Sequence, residues 1–245
     1  ELAQKSVDAI LDFGEKGFPG ILVETIAIFI NNLAAPANTK VFSLTHRLHL
    51  TQPQAYIFDP ELPYWIIYRN QLFDSVCRKL DFDVFEVFRD RQLTNKLLSS
   101  SGELRVLKSR NLSDDGKEIL DIPGYDSYIS YAAAKPLSVF QYLDAPNVYL
   151  TPNMTYKPRM MKKPPHCVVN GSLAILIPKG GIVPTEKQLA YFSSEEYRAF
   201  YQIARNFQTR SLNVDACSVF FYGLLRDEAK PAPEKFDASV QLSFL

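Results

Sequence analysis

The residues with nucleophilic or acid–base potential in this sequence do not assemble into a working set. His166 and Cys167 are neighbours, but successive residues on an extended segment point to opposite faces, so the imidazole cannot simply take the thiol proton. Cys77, Cys167 and Cys217 are widely spaced and odd in number, which fits reduced thiols better than a disulfide framework. There is no CxxC pair and there are only three histidines, so a structural zinc site has no ligand set. His46 and His49 read as polar residues of a strand. No GxxxxGK[ST] or GxGxxG occurs, so a phosphate-binding loop is unsupported. Glu195 and Glu196 sit where the first turn of a helix favours acids, which accounts for them without catalysis.

What the sequence does offer is cationic chemistry. Lysine and arginine total 27 and aspartate and glutamate total 27, yet no acid lies between Asp144 and Glu186. That 41-residue window carries Lys157, Arg159, Lys162 and Lys163 in a proline-studded loop, YKPRMMKKPPHC, and then Lys179. A local excess of cations in a neutral protein suits a polyanionic partner. Three further segments add to it: Arg89, Arg91 and Lys96 among amides, Lys108 and Arg110 with Asn111, and Arg205 with Asn206 ahead of Arg210. For a nucleic acid, Lys157, Lys162 and Lys163 would anchor phosphates. Arg89, Arg91, Arg110, Arg159 and Arg210 have the fork that matches guanine O6 and N7, and Asn111 and Asn206 have the amide that matches adenine. Lys96, Lys108 and Arg205 complete the DNA-binding set.

The elements that must position these groups follow from periodicity. Gln4 to Phe13 places Val7, Ile10 and Leu11 at helical spacing and predicts a helix ending at Gly14. Ile21 to Ile30 is β-branched and nearly continuous, predicting a strand covered on both faces, in which Glu24 needs a partner or an edge. Val41 to Gln54 alternates as a strand. Asn70 to Leu80 repeats as an amphipathic helix. Phe82 to Phe88 and Leu104 to Leu112 read as strands, the latter with Arg105 on one face and Lys108 and Arg110 on the other. Leu173 to Ile177 reads as a buried strand. Thr185 with Gln188 imitates a capping box, and Ser193-Ser194-Glu195-Glu196 opens a helix expected to reach about Phe207. Ser218 to Gly223 is the last predicted strand. The fold class expected is α/β in the α+β sense, a mixed, largely antiparallel twisted sheet with packed helices and long loops. No apolar run is long enough to span a bilayer.

The order of segments resembles a known family. Phe18-Pro19-Gly20-Ile21-Leu22-Val23-Glu24-Thr25 is similar to the "V-E-T" strand that closes the catalytic domain of amino-methylating DNA methyltransferases. Tyr64-Trp65-Ile66, Leu104 to Leu112, Tyr149 to Arg159, Val169 to Ser172, Tyr191 to Tyr201 and Arg205 to Asp215 then follow as in the C-terminal target-recognition region of type II adenine-specific enzymes of restriction-modification systems. The likeness covers about residues 18 to 225. The family's [ND]-P-P-[YF] motif and its glycine-rich cofactor motif have no counterpart, since Lys163-Pro164-Pro165-His166 lacks both the acid or amide and the aromatic. The resemblance therefore implies a piece of a longer protein: residues 1–35 as the tail of the catalytic domain, 36–228 as the DNA target-recognition domain, and 229–245 as a C-terminal tail. It implies double-stranded DNA and an upstream catalytic domain as partners, with a companion restriction endonuclease. S-adenosylmethionine would belong to the parent's catalytic domain and not to this fragment, and the setting would be the bacterial cytoplasm. Two other classes stay open: a protein-interaction domain without DNA contact, and a hydrolase using Cys167 or Ser172.

Overall fold

The computed structural model describes residues 4–208 and 213–227. The fold is α+β, and among the described residues only two of nine strand ladders are parallel. No described helix is long and apolar enough to cross a membrane. The chain divides into two compact units, whose described parts are residues 4–78 with 202–208, and 79–201 with 213–227. The boundary expected near residue 35 thus falls inside the first unit.

The first unit is a four-stranded sheet, β1 (Ser6–Gly14), β2 (Thr25–Asn31), β3 (Asn38–Ser43) and β4 (Leu48–Pro53), in the order β2-β1-β3-β4. It is followed by the short helices α1 (Gln54–Ile57) and α2 (Gln71–Cys77). The helix expected over Gln4 to Phe13 is instead the strand β1. Its register shifts between Val7 and Ala9, and both Val7 and Ile10 are fully buried. One extra residue at a bulge turns positions three apart to the same side, so a bulged strand imitates a helical period. The second correction concerns β2. It begins only at Thr25 and lies at the sheet edge, with Ile26, Phe29 and Ile30 exposed and Phe18, Ile21, Leu22 and Val23 exposed before it. Helix α2 is as expected in place: Asn70 Oδ1 accepts from the Phe73 amide at 3.0 Å, and Phe73 and Val76 face inward.

The second unit contains β5 (Leu80–Asp81), β6 (Phe85–Phe88), β7 (Leu104–Leu107), β8 (Ser127–Ile129), α3 (Tyr131–Ala134), β9 (Tyr149–Pro152), β10 (Met161–Lys162), β11 (Cys167–Val169), β12 (Leu173–Pro178), α4 (Glu186–Tyr191), α5 (Glu195–Ala204) and β13 (Leu224–Leu225), the last three residues of α5 belonging to the first unit. Its sheets run β10-β9-β12-β6, β11-β7-β8 and β13-β5. Leu173 to Leu176 are all fully buried, as the apolar run predicts. Thr185 and Gln188 do form a reciprocal capping box, and Ser194 Oγ accepts from the Tyr197 amide at 3.1 Å. Helix α5 stops at Ala204, short of Phe207, because Asn206 and Phe207 adopt left-handed φ values of 48° and 54°. The strand expected over Ser218 to Gly223 is a 3-10 turn over Ser218–Phe221. Asp215 Oδ1 winds it by accepting from the Ser218 amide at 2.8 Å and the Cys217 amide at 3.1 Å.

Candidate nucleic-acid interface

One turn organises the end of the second unit where most of the predicted cations emerge. Asn170-Gly171-Ser172 links β11 to β12, and Asn170 Oδ1 accepts from the Ser172 amide at 3.1 Å and its hydroxyl at 2.6 Å. The Asn170 amide donates to Leu107 O at the exit of β7, and Ser172 Oγ accepts from the Ser109 amide at 3.0 Å. Asn153, past the exit of β9, donates from Nδ2 to Gly171 O at 3.0 Å. At the exit of β6 the backbone comes closer still: a Cβ on Gly171 would lie 2.7 Å from Asp90 O. The exits of β6, β7, β9 and β11 therefore share one rim.

The segment leaving β6 carries the most available charge. Asp90 is its one acid before residue 97, and it is turned inward, 4% exposed, with Oδ2 accepting from the Leu93 amide at 2.8 Å. Arg91 and Lys96 are exposed and Arg89 half-buried. Among the described residues no carboxylate pairs with any of these three. Gln92 is committed elsewhere, accepting from the Ser138 amide at 2.7 Å.

Beyond β7 the strand expected to reach Leu112 stops at Leu107. The fully buried Asn111 ends it, accepting from the Lys108 amide at 2.9 Å and winding Ser109–Asn111 into a 3-10 turn. Asn111 Nδ2 donates to Leu120 O at 3.0 Å and Asp126 Oδ1 at 2.7 Å, so this amide is fully occupied. Lys108 Nζ donates to Tyr125 O and to Ser127 Oγ, and lies 3.8 Å from the centre of the Tyr125 ring. The Arg110 guanidinium is 4.7 Å from the same ring centre, while the residue is exposed. Burial holds Lys108 below the ordinary lysine value, and the Arg110 charge adds to this against the pull of Asp126.

The basic loop beyond β9 is less free than its composition suggests. Arg159 is 8% exposed and donates to three carbonyls, Lys157 O and Ser109 O at 3.1 Å and Leu112 O at 3.3 Å. Lys163 is buried too, donating to Leu143 O at 2.8 Å and Pro164 O at 2.9 Å. Burial lowers the proton affinity of both. Lys179 pairs with Asp83 at 2.6 Å, and the exposed Lys157 stands 3.9 Å from Asp114. Lys162 is exposed on β10 but pairs with Tyr149 at the entry of β9, away from the rim.

The rim thus gathers Arg89, Arg91, Lys96, Lys108, Arg110, Asn111, Lys157 and Arg159. Arg205 and Asn206 belong to the first unit, where Asn206 accepts from the Ile67 amide at 2.9 Å and donates to Trp65 O at 2.8 Å. Arg210 lies outside the described residues. Tyr125 escaped the sequence reading, because nothing local to the Pro123-Gly124 turn shows that its ring meets cations 15 and 17 residues upstream.

Nucleophilic chemistry finds no support here. Burial pushes the Cys167 thiol up, and the neighbouring His166 Nδ1 is turned to Asp144 Oδ1 at 3.2 Å. Ser172 Oγ is used by Asn170 and Ser109. No group of three potential metal ligands exists among the described residues. No protein-family model matches the chain, and no curated protein sequence matches it. Architecture and surface are what define it: an α+β protein with a cationic rim where strand ends converge.

Proposed function

We propose that this chain recognises double-stranded DNA, as the target-recognition region of an adenine-N6-specific DNA methyltransferase of a restriction-modification system. The observation that carries DNA binding is the segment from Arg89 to Lys96: its single acid is turned inward and its three cations have no carboxylate partner among the described residues. Exposed cations of this kind contact phosphates and set register, and in this reading the exposed Arg110 on the same rim reaches a base edge. The assignment to adenine methylation comes from the ordered resemblance of segments between residues 18 and 225. Methyl transfer and S-adenosylmethionine belong, in this reading, to a catalytic domain of the parent protein, which works in the cytoplasm beside a restriction endonuclease. No residue of this chain is assigned to hold the cofactor.

A second surface favours a protein partner in addition. Phe18, Ile21, Leu22, Val23, Ile26, Phe29 and Ile30 are exposed together along the loop before β2 and its edge. An apolar edge strand of this sort fits a folded neighbour. In the methyltransferase reading that neighbour is the catalytic domain.

The test is binding of the chain to a randomised duplex at several salt concentrations, with the bound fraction sequenced. DNA recognition predicts an affinity that falls steeply and linearly in log–log form with salt, and one enriched short motif. Binding that ignores salt, or enrichment of no sequence, overturns it.

A further inference from the structure

We infer that Arg110 is the base-reading arginine of the rim, specific for the major-groove edge of a guanine, and that Tyr125 is the residue that positions it. The inference rests on the DNA-recognition reading. It separates the candidate arginines by what each guanidinium is already doing.

Arg159 donates to three backbone carbonyls and is buried. Arg105, on β7, is held by Asp121 at 2.6 Å and Asp126 at 3.0 Å. Arg91 is exposed and makes no hydrogen bond, ion pair or ring contact among the described residues, which suits a phosphate contact better than base reading. Arg89 is half-buried. Arg110 alone among them is both exposed and fixed.

It is fixed at two levels. Its backbone sits in the 3-10 turn that the buried Asn111 closes, and its guanidinium lies 4.7 Å from the centre of the Tyr125 ring. A cation over an aromatic ring uses its planar face. Bidentate recognition of guanine O6 and N7 uses the edge of the same plane, so the two contacts do not compete. Arg110 has no hydrogen-bond acceptor among the described residues, which leaves that edge for a ligand. Lys108, 3.8 Å from the same ring centre, adds a second positive charge beside it. The pair therefore prefers an acceptor-rich partner. Pre-ordering the long side chain removes part of the rotamer entropy otherwise lost on binding, and that is the contribution assigned to Tyr125.

The experiment compares the full chain with Arg110→Ala, Arg110→Lys, Tyr125→Leu and Tyr125→Phe in selection from a randomised duplex, with folding checked by circular dichroism. The inference expects Arg110→Ala and Arg110→Lys to lose preference at one G·C pair of the enriched motif, roughly 10- to 100-fold, with the other positions intact. Tyr125→Leu should relax that same position in part, and Tyr125→Phe, which keeps the ring, should select as the parent chain does. A purely structural role for Tyr125 would instead lower affinity evenly across sequences. If the parent chain enriches a motif and Arg110→Ala leaves every position unchanged, this inference fails and DNA recognition stands. If the parent chain enriches nothing, both fail.

Discussion

Asn111 donates from Nδ2 to Asp126 Oδ1 at 2.7 Å, and this contact ties the turn after β7 to the segment that enters β8. The same carboxylate takes the Ile122 amide and Arg105, each at 3.0 Å. Burial alone would raise Asp126, but the Ile122 amide, Asn111 and Arg105 together hold it below the usual aspartate value. Replacing Asn111 by alanine leaves the Lys108 amide and Asp126 Oδ1 without the partner that Asn111 supplied, and leaves Leu120 O to Arg105 at 2.8 Å. Arg110 then loses its backbone support. Urea unfolding of Asn111→Ala should show a loss of about 2–4 kcal/mol. A loss below about 1 kcal/mol would mean that the network is replaced by water and does not order the turn.

Gly171 is required by space and not by a left-handed backbone. A Cβ there would meet Asp90 O at 2.7 Å, and backbone cannot swing aside as a side chain can. Gly171→Ala should cost about 1–3 kcal/mol of stability by forcing the exits of β6 and β11 apart. In the DNA-binding reading it should also weaken duplex affinity by displacing Arg89 to Lys96. Thermal unfolding together with anisotropy at one salt concentration measures both, and unchanged stability would count against the tight rim.

These two positions show what the sequence could and could not convey. The buried strand β12, the Asn70-capped helix α2 and the Thr185–Gln188 capping box are local patterns, and local patterns were legible. Strand β1 was not, because a bulge at Val7 and Ala9 reproduces a helical spacing that only its neighbours β2 and β3 resolve. The cations were all visible, but their availability was not. Whether Arg159 and Lys163 face carbonyls or solvent depends on residues 47 and 20 positions away, Leu112 and Leu143. Composition pointed to the basic loop, whereas burial moves the weight to Arg89 through Lys96.

Tyr68 and Asp12 supply a pH signature in the first unit. Tyr68, 2% exposed, donates its hydroxyl to Asp12 Oδ2, and burial first and then this bond push its ionisation well above the tyrosine's ordinary value of 10.0. The folded state keeps a proton that the unfolded chain releases above pH 10. Stability from this group is therefore complete below pH 10 and is lost as pH rises, by about 1.4 kcal/mol per pH unit. Tyr68→Phe should lower stability at pH 7 by about 1–3 kcal/mol, since among the described residues Asp12 Oδ2 then keeps Ser43 Oγ at 3.5 Å alone. Its stability should also fall less steeply between pH 10 and 11 than that of the parent chain. Equal slopes would remove Tyr68 from the alkaline response.

Charge on the rim and charge within the fold should separate by salt dependence. Arg91 and Lys96 are exposed and have no carboxylate partner among the described residues, so in the DNA-binding reading each neutralises a phosphate. The double change Arg91→Ala with Lys96→Ala should weaken binding to all duplexes alike and reduce the slope of log affinity against log salt by about 2, with stability unchanged within roughly 0.5 kcal/mol. Arg159→Ala should do the reverse. Its guanidinium satisfies the carbonyls of Lys157, Ser109 and Leu112, so its loss should cost about 2–4 kcal/mol of stability while the salt slope of the remaining folded protein stays the same. Titrations at four salt concentrations, run beside urea unfolding for both variants, measure the two quantities independently. A reduced slope for Arg159→Ala would place its charge on DNA in spite of its burial, and an unchanged slope for the double variant would move the phosphate contacts away from the segment between Arg89 and Lys96.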